Sequence, residues 1–222
     1  MNLKNSLLLG VFFVLMICST GFLVVQGPNK PRFKHFGQIA YFFETKEALT
    51  NFFDLRKHEA VAEIGAGDGL NILDLTLLAD SVTFYVQDID SLTLDRKTFD
   101  AICNRAAKLK KPQTNRYARI IGTPETTDLP DDSLDKVILV MTFHEFELMQ
   151  EMLSDIYAKL KPSGKLYVLE ARCFRDDHTY YDREEAVDIL ENAHFRLERI
   201  DGKDYYRSKD LYRAIFVKTE KD

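Results

Sequence analysis

The stretch VAEIGAGDG, residues 61–69, decides the fold. It is a short apolar run interrupted by Glu63, then glycines at 65, 67 and 69, then a segment of helical periodicity over residues 71–78. Glycine carries no Cβ, so the backbone there can turn sharply and come close to a bound molecule. In an open α/β sheet such a turn lies at the carboxyl end of a strand, where the binding crevice is. A dinucleotide-binding turn needs glycine at the sixth position of its pattern. Counted from Gly65 that position is Leu70, and from Gly67 it is Ile72. The missing glycine argues against a nicotinamide-dependent oxidoreductase.

Outward from this turn, strand and helix patterns alternate. Residues 41–57 have helical spacing, with Phe42, Phe43, Leu49, Phe52 and Phe53 as the apolar set. Residues 60–64 read as a strand, 82–86 as a β-branched and aromatic strand, and 95–108 as a helix with Phe99, Ile102 and Ala106 on one side. Strands follow at 117–121 and at 136–141, the apolar run KVILVM. A helix over 148–160 ends at Lys161-Pro162-Ser163-Gly164, and a strand covers 165–169. The last helix covers 183–193, and the last strands, 195–200 and 211–218, are joined through Asp201-Gly202 without a helix. Helices between successive strands predict a parallel sheet covered on both faces. The final pair predicts an antiparallel hairpin. The fold class is therefore α/β, a doubly wound, Rossmann-like, seven-stranded, mostly parallel sheet with an antiparallel last strand.

The pattern E-x-G-x-G-x-G at residues 63–69 resembles the first motif of class I S-adenosylmethionine-dependent methyltransferases. FYVQDID, residues 84–90, resembles that family's second strand with its terminal acid. Residues 120–146, IIGTPETTDLPDDSLDKVILVMTFHEF, are similar to its third and fourth strands, and residues 159–172, KLKPSGKLYVLEAR, to its fifth. The four blocks stand in the family's order. The resemblance implies S-adenosyl-L-methionine as cofactor. It implies that Gly65, Ala66, Gly67 and Gly69 lie along it, that Glu63 serves its amino group, and that Asp88 holds the ribose diol with Ile89 beside it. A carboxylate accepts two hydrogen bonds at once, which suits a diol. Where many relatives place an acid for the adenine amino group, this chain has Thr123, followed by Pro124 and Glu125, so Thr123 or Glu125 is the expected contact.

The fourth strand ends in Met141-Thr142-Phe143-His144-Glu145, not in the Asn/Asp-Pro-Pro-aromatic signature of amino-directed nucleic-acid and glutamine methyltransferases. The expected substrate is a small or lipophilic molecule, methylated by in-line transfer. His144 falls where the methyl group would lie. Two roles remain open for it: general base, or a residue that lines the pocket. A non-catalytic protein that holds the cofactor or its demethylated product is the rival reading.

Composition narrows the partners. With 35 acidic and 30 basic residues the net charge is −5, so no overall field draws the chain to nucleic acid. The acid-free basic set Arg105, Lys108, Lys110, Lys111, Arg116 and Arg119 is expected to be a solvated helix end and loop rather than an RNA patch. Cys18, Cys103 and Cys173 are too scattered for a disulfide framework, and the five histidines do not pair at metal-ligand spacing. Nothing in the sequence sets the oligomeric state.

Residues 7–25, LLLGVFFVLMICSTGFLVV, carry no charge and are long enough for a membrane-spanning helix. A retained membrane anchor is the favoured reading; a cleaved signal peptide with export, or a lipoprotein signal ending at Cys18, are the alternatives. Lys30, Arg32 and Lys34 follow the run and Lys4 precedes it, which favours a cytoplasmic main domain. The expected organisation is an N-terminal hydrophobic segment over 1–27, a linker over 28–40 and a methyltransferase domain over 41–222.

Overall fold

The computed structural model describes residues 33–171, 180–205 and 208–219. The hydrophobic run at 7–25, the first part of the expected linker, Cys18 and Cys173 lie outside these residues. Among the described residues no helix is long and apolar enough to cross a membrane.

The chain order is a 3-10 turn Gln38–Phe42, α1 (Lys46–Phe53), β1 (Ala60–Ile64), α2 (Leu70–Thr76), β2 (Thr83–Asp88), α3 (Arg96–Leu109), β3 (Arg116–Ile121), β4 (Leu134–Val140), a 3-10 turn Phe143–Glu145, α4 (Met149–Lys159), β5 (Leu160–Ala171), α5 (Arg183–Asn192), β6 (Phe195–Tyr205) and β7 (Ser208–Lys218). The seven strands form one sheet in the order β3-β2-β1-β4-β5-β7-β6. β1 runs parallel to β2 and β4, β2 to β3, and β4 to β5. β7 lies antiparallel between β5 and β6. This is the mostly parallel sheet expected, with the closing hairpin supplying the antiparallel strand.

The sheet is buried on both faces because its central strands carry apolar residues at successive positions, as Val137–Val140 does in β4. Along β4, Ile138 and Val140 pack with Phe52, Leu73 and Phe99 from α1, α2 and α3 on one face. Val137 and Leu139 pack with Leu153, Ile156 and Leu190 from α4 and α5 on the other. The helix starts are fixed locally. Thr45 caps α1 by accepting the Ala48 N–H at 3.1 Å, and Asp95 caps α3 by accepting that of Thr98 at 2.6 Å. Asp182 and Glu185 form a reciprocal capping box on α5.

Four details differ from the sequence expectation. Asp201-Gly202, expected as the connection between the last two strands, lies inside β6, paired with Arg213 and Tyr212, because the hairpin extends beyond it. The single helix expected over 41–57 is a 3-10 turn followed by the shorter α1, because Thr45 caps a new helix start. Residues 36–40, expected within the linker, are packed: Ile39 and Ala40 are fully buried, and the backbone N–H groups of Phe36 and Gly37 donate to the Asp74 carboxylate. The Lys161–Gly164 turn lies inside β5 as a bulge, since the β4 register jumps from Leu134↔Leu160 to Lys136↔Lys165.

Candidate functional site

The loop after β1 has the shape its glycines foretold. Gly65, Gly67 and Gly69 have φ of 67°, 54° and 73°, in the left-handed region that favours glycine. At Gly65 there is also no room for a side chain: a Cβ would lie 2.3 Å from Cγ2 of Thr142. That contact brings the end of β4 against the loop. Gly67 is the opposite case, because a Cβ there would meet nothing within 4 Å. Its left-handed backbone borders open space on the crevice side.

The loop is tied to β2. The Gly67 N–H donates to Oδ2 of Asp88 at 2.7 Å, and the Ala66 N–H to the Gln87 carbonyl at 2.9 Å. Oδ1 of Asp88 accepts the Asp90 N–H at 2.8 Å. Each carboxylate oxygen of Asp88 thus holds one backbone donor and keeps a lone pair for another. Ile89, next along, is 48% exposed, unusual for a large apolar side chain beside a buried strand end.

Glu63 lies at the root of the loop and is 1% exposed. Its Oε1 accepts the Asn71 amide at 2.6 Å, while Oε2 is buried without a partner. Burial pushes its pKa up to about 8, helped by the charges of Asp68, Asp88 and Asp74 and opposed by Asn71. A buried carboxyl with one open oxygen fits a cationic hydrogen-bond donor such as an amino group. This orphaned oxygen, the open space at Gly67 and the spare lone pairs of Asp88 together match the amino group and ribose diol of the cofactor expected from sequence.

The loop after β3 closes the crevice beyond Asp88. The Gly122 N–H donates to the Asp88 carbonyl at 3.0 Å, so Thr123 follows immediately. The Thr123 hydroxyl donates to Glu125 at 2.7 Å and accepts from the backbone N–H groups of Glu125 and Thr126 at 3.3 Å. Thr123 and Glu125 thus sit in one compact turn, each engaged with the other. Gln87, fully buried under Gly122, has neither amide atom partnered.

The other half of the edge is built around His144. Met141 takes φ of 55° after β4, an uncommon conformation for a side-chain-bearing residue, and turns the chain out of the sheet. Phe143 and His144 then fold over the end of β5. Glu170, 3% exposed near the end of β5, accepts the Phe143 N–H at 2.8 Å and faces Nδ1 of His144 at 2.8 Å. Oε1 of Glu145 lies 3.1 Å from Nε2. The Tyr180 ring packs on the imidazole with centroids 4.5 Å apart. Burial works against protonation of His144, but the Glu170 hydrogen bond and charge, with Glu145, prevail and raise its pKa.

The structure brings Glu63, Gly65, Ala66, Gly67, Gly69 and Asp88 together around one crevice, with Thr123 beside Asp88 and His144 two residues from the Thr142 contact. Sequence reasoning missed Glu170 and Asn71. Glu170 carried a usable signal: like Glu63, it is an acid in an otherwise apolar strand, and such an acid needs a partner. Half of the basic set makes contacts within the fold, while Lys108, Lys111 and Arg116 are exposed. Lys110 donates to the carbonyls of Thr76 and Ala79 and pairs with Asp80, Arg119 donates to the Leu94 carbonyl, and Arg105 lies over the Phe36 ring at 4.5 Å.

Residues 62–168 match a family described as a methyltransferase domain. No curated protein matches the chain. Among solved structures, a S-adenosylmethionine-dependent methyltransferase from Aquifex aeolicus is 19% identical with a TM-score of 0.62, over 78% of this chain and 89% of that one. One from Methanosarcina mazei is 15% identical with a TM-score of 0.57, over 78% and 98%. Phosphoethanolamine N-methyltransferase 2 from Haemonchus contortus, solved with phosphomonomethylethanolamine and S-adenosylhomocysteine, is 12% identical with a TM-score of 0.59, over 79% and 52%. At these identities the likeness is one of fold. The family match, just under half of the chain, covers the glycine turn and the strands that carry the crevice; with the shared fold of S-adenosylmethionine-dependent methyltransferases it supports a methyltransferase domain with S-adenosyl-L-methionine as cofactor.

Proposed function

We propose that the chain methylates a small or lipophilic acceptor, that the hydrophobic segment at 7–25 holds it at a membrane, and that its domain faces the cytoplasm. One observation carries the enzymatic reading: the cofactor crevice and a carboxylate-held histidine share the carboxyl edge of the sheet, joined by the contact of Gly65 with Thr142. S-adenosylmethionine, when bound, supplies a methyl group already activated as a sulfonium. The chain's own tasks are then to hold the two reactants in line and to take up any proton the acceptor releases. In this reading Glu63 receives the cofactor's amino group and Asp88 its ribose hydroxyls. Ile89 covers one side of the adenine, the turn at Thr123 and Glu125 borders its edge, and His144 faces the acceptor.

The membrane part of the proposal rests on the uncharged run at 7–25, on the basic residues after it, and on the cytosolic supply of the donor. The test uses the full-length chain with methyl-labelled S-adenosylmethionine and two acceptor pools, a membrane lipid extract and a soluble metabolite extract. Label is expected in an organic-soluble product, with His144→Ala about a hundredfold slower. Cofactor binding with no label in either pool would support the non-catalytic holder instead. Protease added to spheroplasts should spare the domain while the full-length chain pellets with membranes. A digested domain, or a chain shortened near Cys18, would refute the orientation.

A further inference from the structure

Asn71, in the first turn of α2, holds two elements at once. Its Oδ1 accepts the Ile39 N–H at 2.8 Å, and its Nδ2 donates to Oε1 of Glu63 at 2.6 Å. A backbone N–H can only donate, so the Ile39 bond fixes which end of the amide is oxygen. The amide hydrogens are thereby turned toward Glu63, and Oε2 of that carboxyl is left for a ligand. The segment that supplies Ile39 lies along α2. Three residues beyond Asn71 and on the same helix face, the Asp74 carboxylate accepts the Phe36 and Gly37 N–H groups at 3.0 and 2.8 Å. Arg105 of α3 covers the Phe36 ring at 4.5 Å, and Arg213 of β7 donates to the Phe42 carbonyl at 2.6 Å. Gly37 crosses α2 in close contact: a Cβ there would stand 2.5 Å from the backbone nitrogen of Asn71 and 2.6 Å from its Cα. Its φ of −105° and ψ of −176° suit residues with side chains as well, so this glycine answers a need for space alone.

We propose that Asn71 is a positioning residue: by bonding Ile39 on one side and Glu63 on the other, it couples the docking of residues 36–42 to the hold on the cofactor's amino group. The inference rests on the cofactor reading given above for Glu63. A docked segment fixes the amide, the amide donates to Glu63, and that bond favours the ionised carboxyl that an ammonium group needs. With the segment displaced the amide is free to turn. Glu63 then loses a fixed donor but keeps the charges of Asp68, Asp88 and Asp74 around it, which oppose its ionisation. The coupling is reciprocal: whatever docking lends to cofactor affinity, the cofactor lends to docking. In the same reading the ribose is held at Asp88 on β2, so a ligand without an amino group stands outside the coupling.

The test is calorimetry of the full-length chain with two probes. S-adenosylhomocysteine carries the amino group; 5′-methylthioadenosine has the adenosine and the thioether without the amino-acid part. Asn71→Leu removes both bonds. It should weaken S-adenosylhomocysteine binding by about tenfold or more, as for a lost hydrogen bond to a charged group, and leave 5′-methylthioadenosine unchanged. Gly37→Ala keeps the Asn71 and Glu63 side chains, yet should show the same selective loss to a smaller degree. The pH midpoint of S-adenosylhomocysteine affinity should move up in Asn71→Leu, because Glu63 then ionises less readily. Equal losses for both probes, or no loss for either, overturn the proposal. If the variants do not fold, amide hydrogen exchange of the wild type decides: S-adenosylhomocysteine should slow exchange at Phe36, Gly37 and Ile39, and 5′-methylthioadenosine should not. Exchange indifferent to both probes, or slowed alike by both, overturns the coupling. Wild-type chain that binds neither probe removes the cofactor reading itself, whereas equal affinity for the two keeps the cofactor site and overturns the role of Asn71.

Discussion

Glu63 and Glu170 stand at the carboxyl ends of two sheet strands, both buried at 3% exposure or less, yet they are in opposite states. Glu170 has both oxygens engaged, by Phe143 and His144. Glu63 has one oxygen on Asn71 and the other buried without a partner, and its pKa is displaced to about 8. The first half of the edge is therefore incomplete by itself, and the proposed amino-group contact would complete it, while the second has its buried acid engaged within the protein. A binding half can store an unsatisfied group because the ligand repays it. A half that orients a reacting group must be fixed beforehand, because reorganisation during the reaction would add to the barrier.

That contrast can be broken at several points, the largest effect first. Gly67→Val puts a branched side chain into the open space of the crevice at a left-handed φ. It should abolish S-adenosylmethionine binding in calorimetry while circular dichroism still reports a folded domain; wild-type affinity in this variant would sink the cofactor assignment. Next, Glu63 makes the ligand-free protein pH-sensitive. Its pKa is near 4.5 when unfolded and about 8 when folded, so the folded state holds more protons between those values. Stability should fall as the pH rises through that window and level off above it, by about 1.4 kcal/mol for each unit of displacement. Thermal melts of Glu63→Gln should lack this slope, and superposable profiles would show that Glu63 is not held protonated.

Glu170→Ala leaves the Phe143 N–H and the His144 ring without their buried acceptor. A loss of about 2–4 kcal/mol in urea unfolding is expected, with cofactor affinity little changed. A variant as stable as the wild type would mean that this half of the edge is not pre-built. The smallest effect belongs to Asp88→Ala, which should weaken cofactor binding by about 1–3 kcal/mol, the worth of hydrogen bonds to a charged group. Unchanged affinity by calorimetry would place the ribose elsewhere. The companion measurement is stability, since the Gly67 and Asp90 N–H groups also lose an acceptor and the melting temperature should drop with the affinity.

The sheet was legible in the sequence because its central strands are buried on both faces and so are dominated by consecutive apolar residues, as in the VILVM of residues 137–141. The turn was legible because left-handed backbone favours glycine, and three glycines at alternate positions leave few other meanings. Asp88 and His144 were placed correctly at strand ends, since apolar runs mark where strands stop. Other features depended on distances along the chain that no local pattern encodes. Glu170 lies 26 residues from His144, and only the parallel pairing of β4 with β5 puts them side by side. Asn71 gains its meaning from Glu63 on one side and the Ile39 N–H on the other, which also draws residues 36–40 into the domain. The basic run was read as a solvated helix end and loop; the carbonyls that Lys110 and Arg119 reach were not visible in it, because sequence shows charge but not partners. The sequence by itself determined the succession of apolar runs along the chain, the glycine turn and the acid that ends β2. The tertiary structure decided which buried acids are satisfied, because a hydrogen-bond partner is a matter of position in space and strand pairing brings distant residues together.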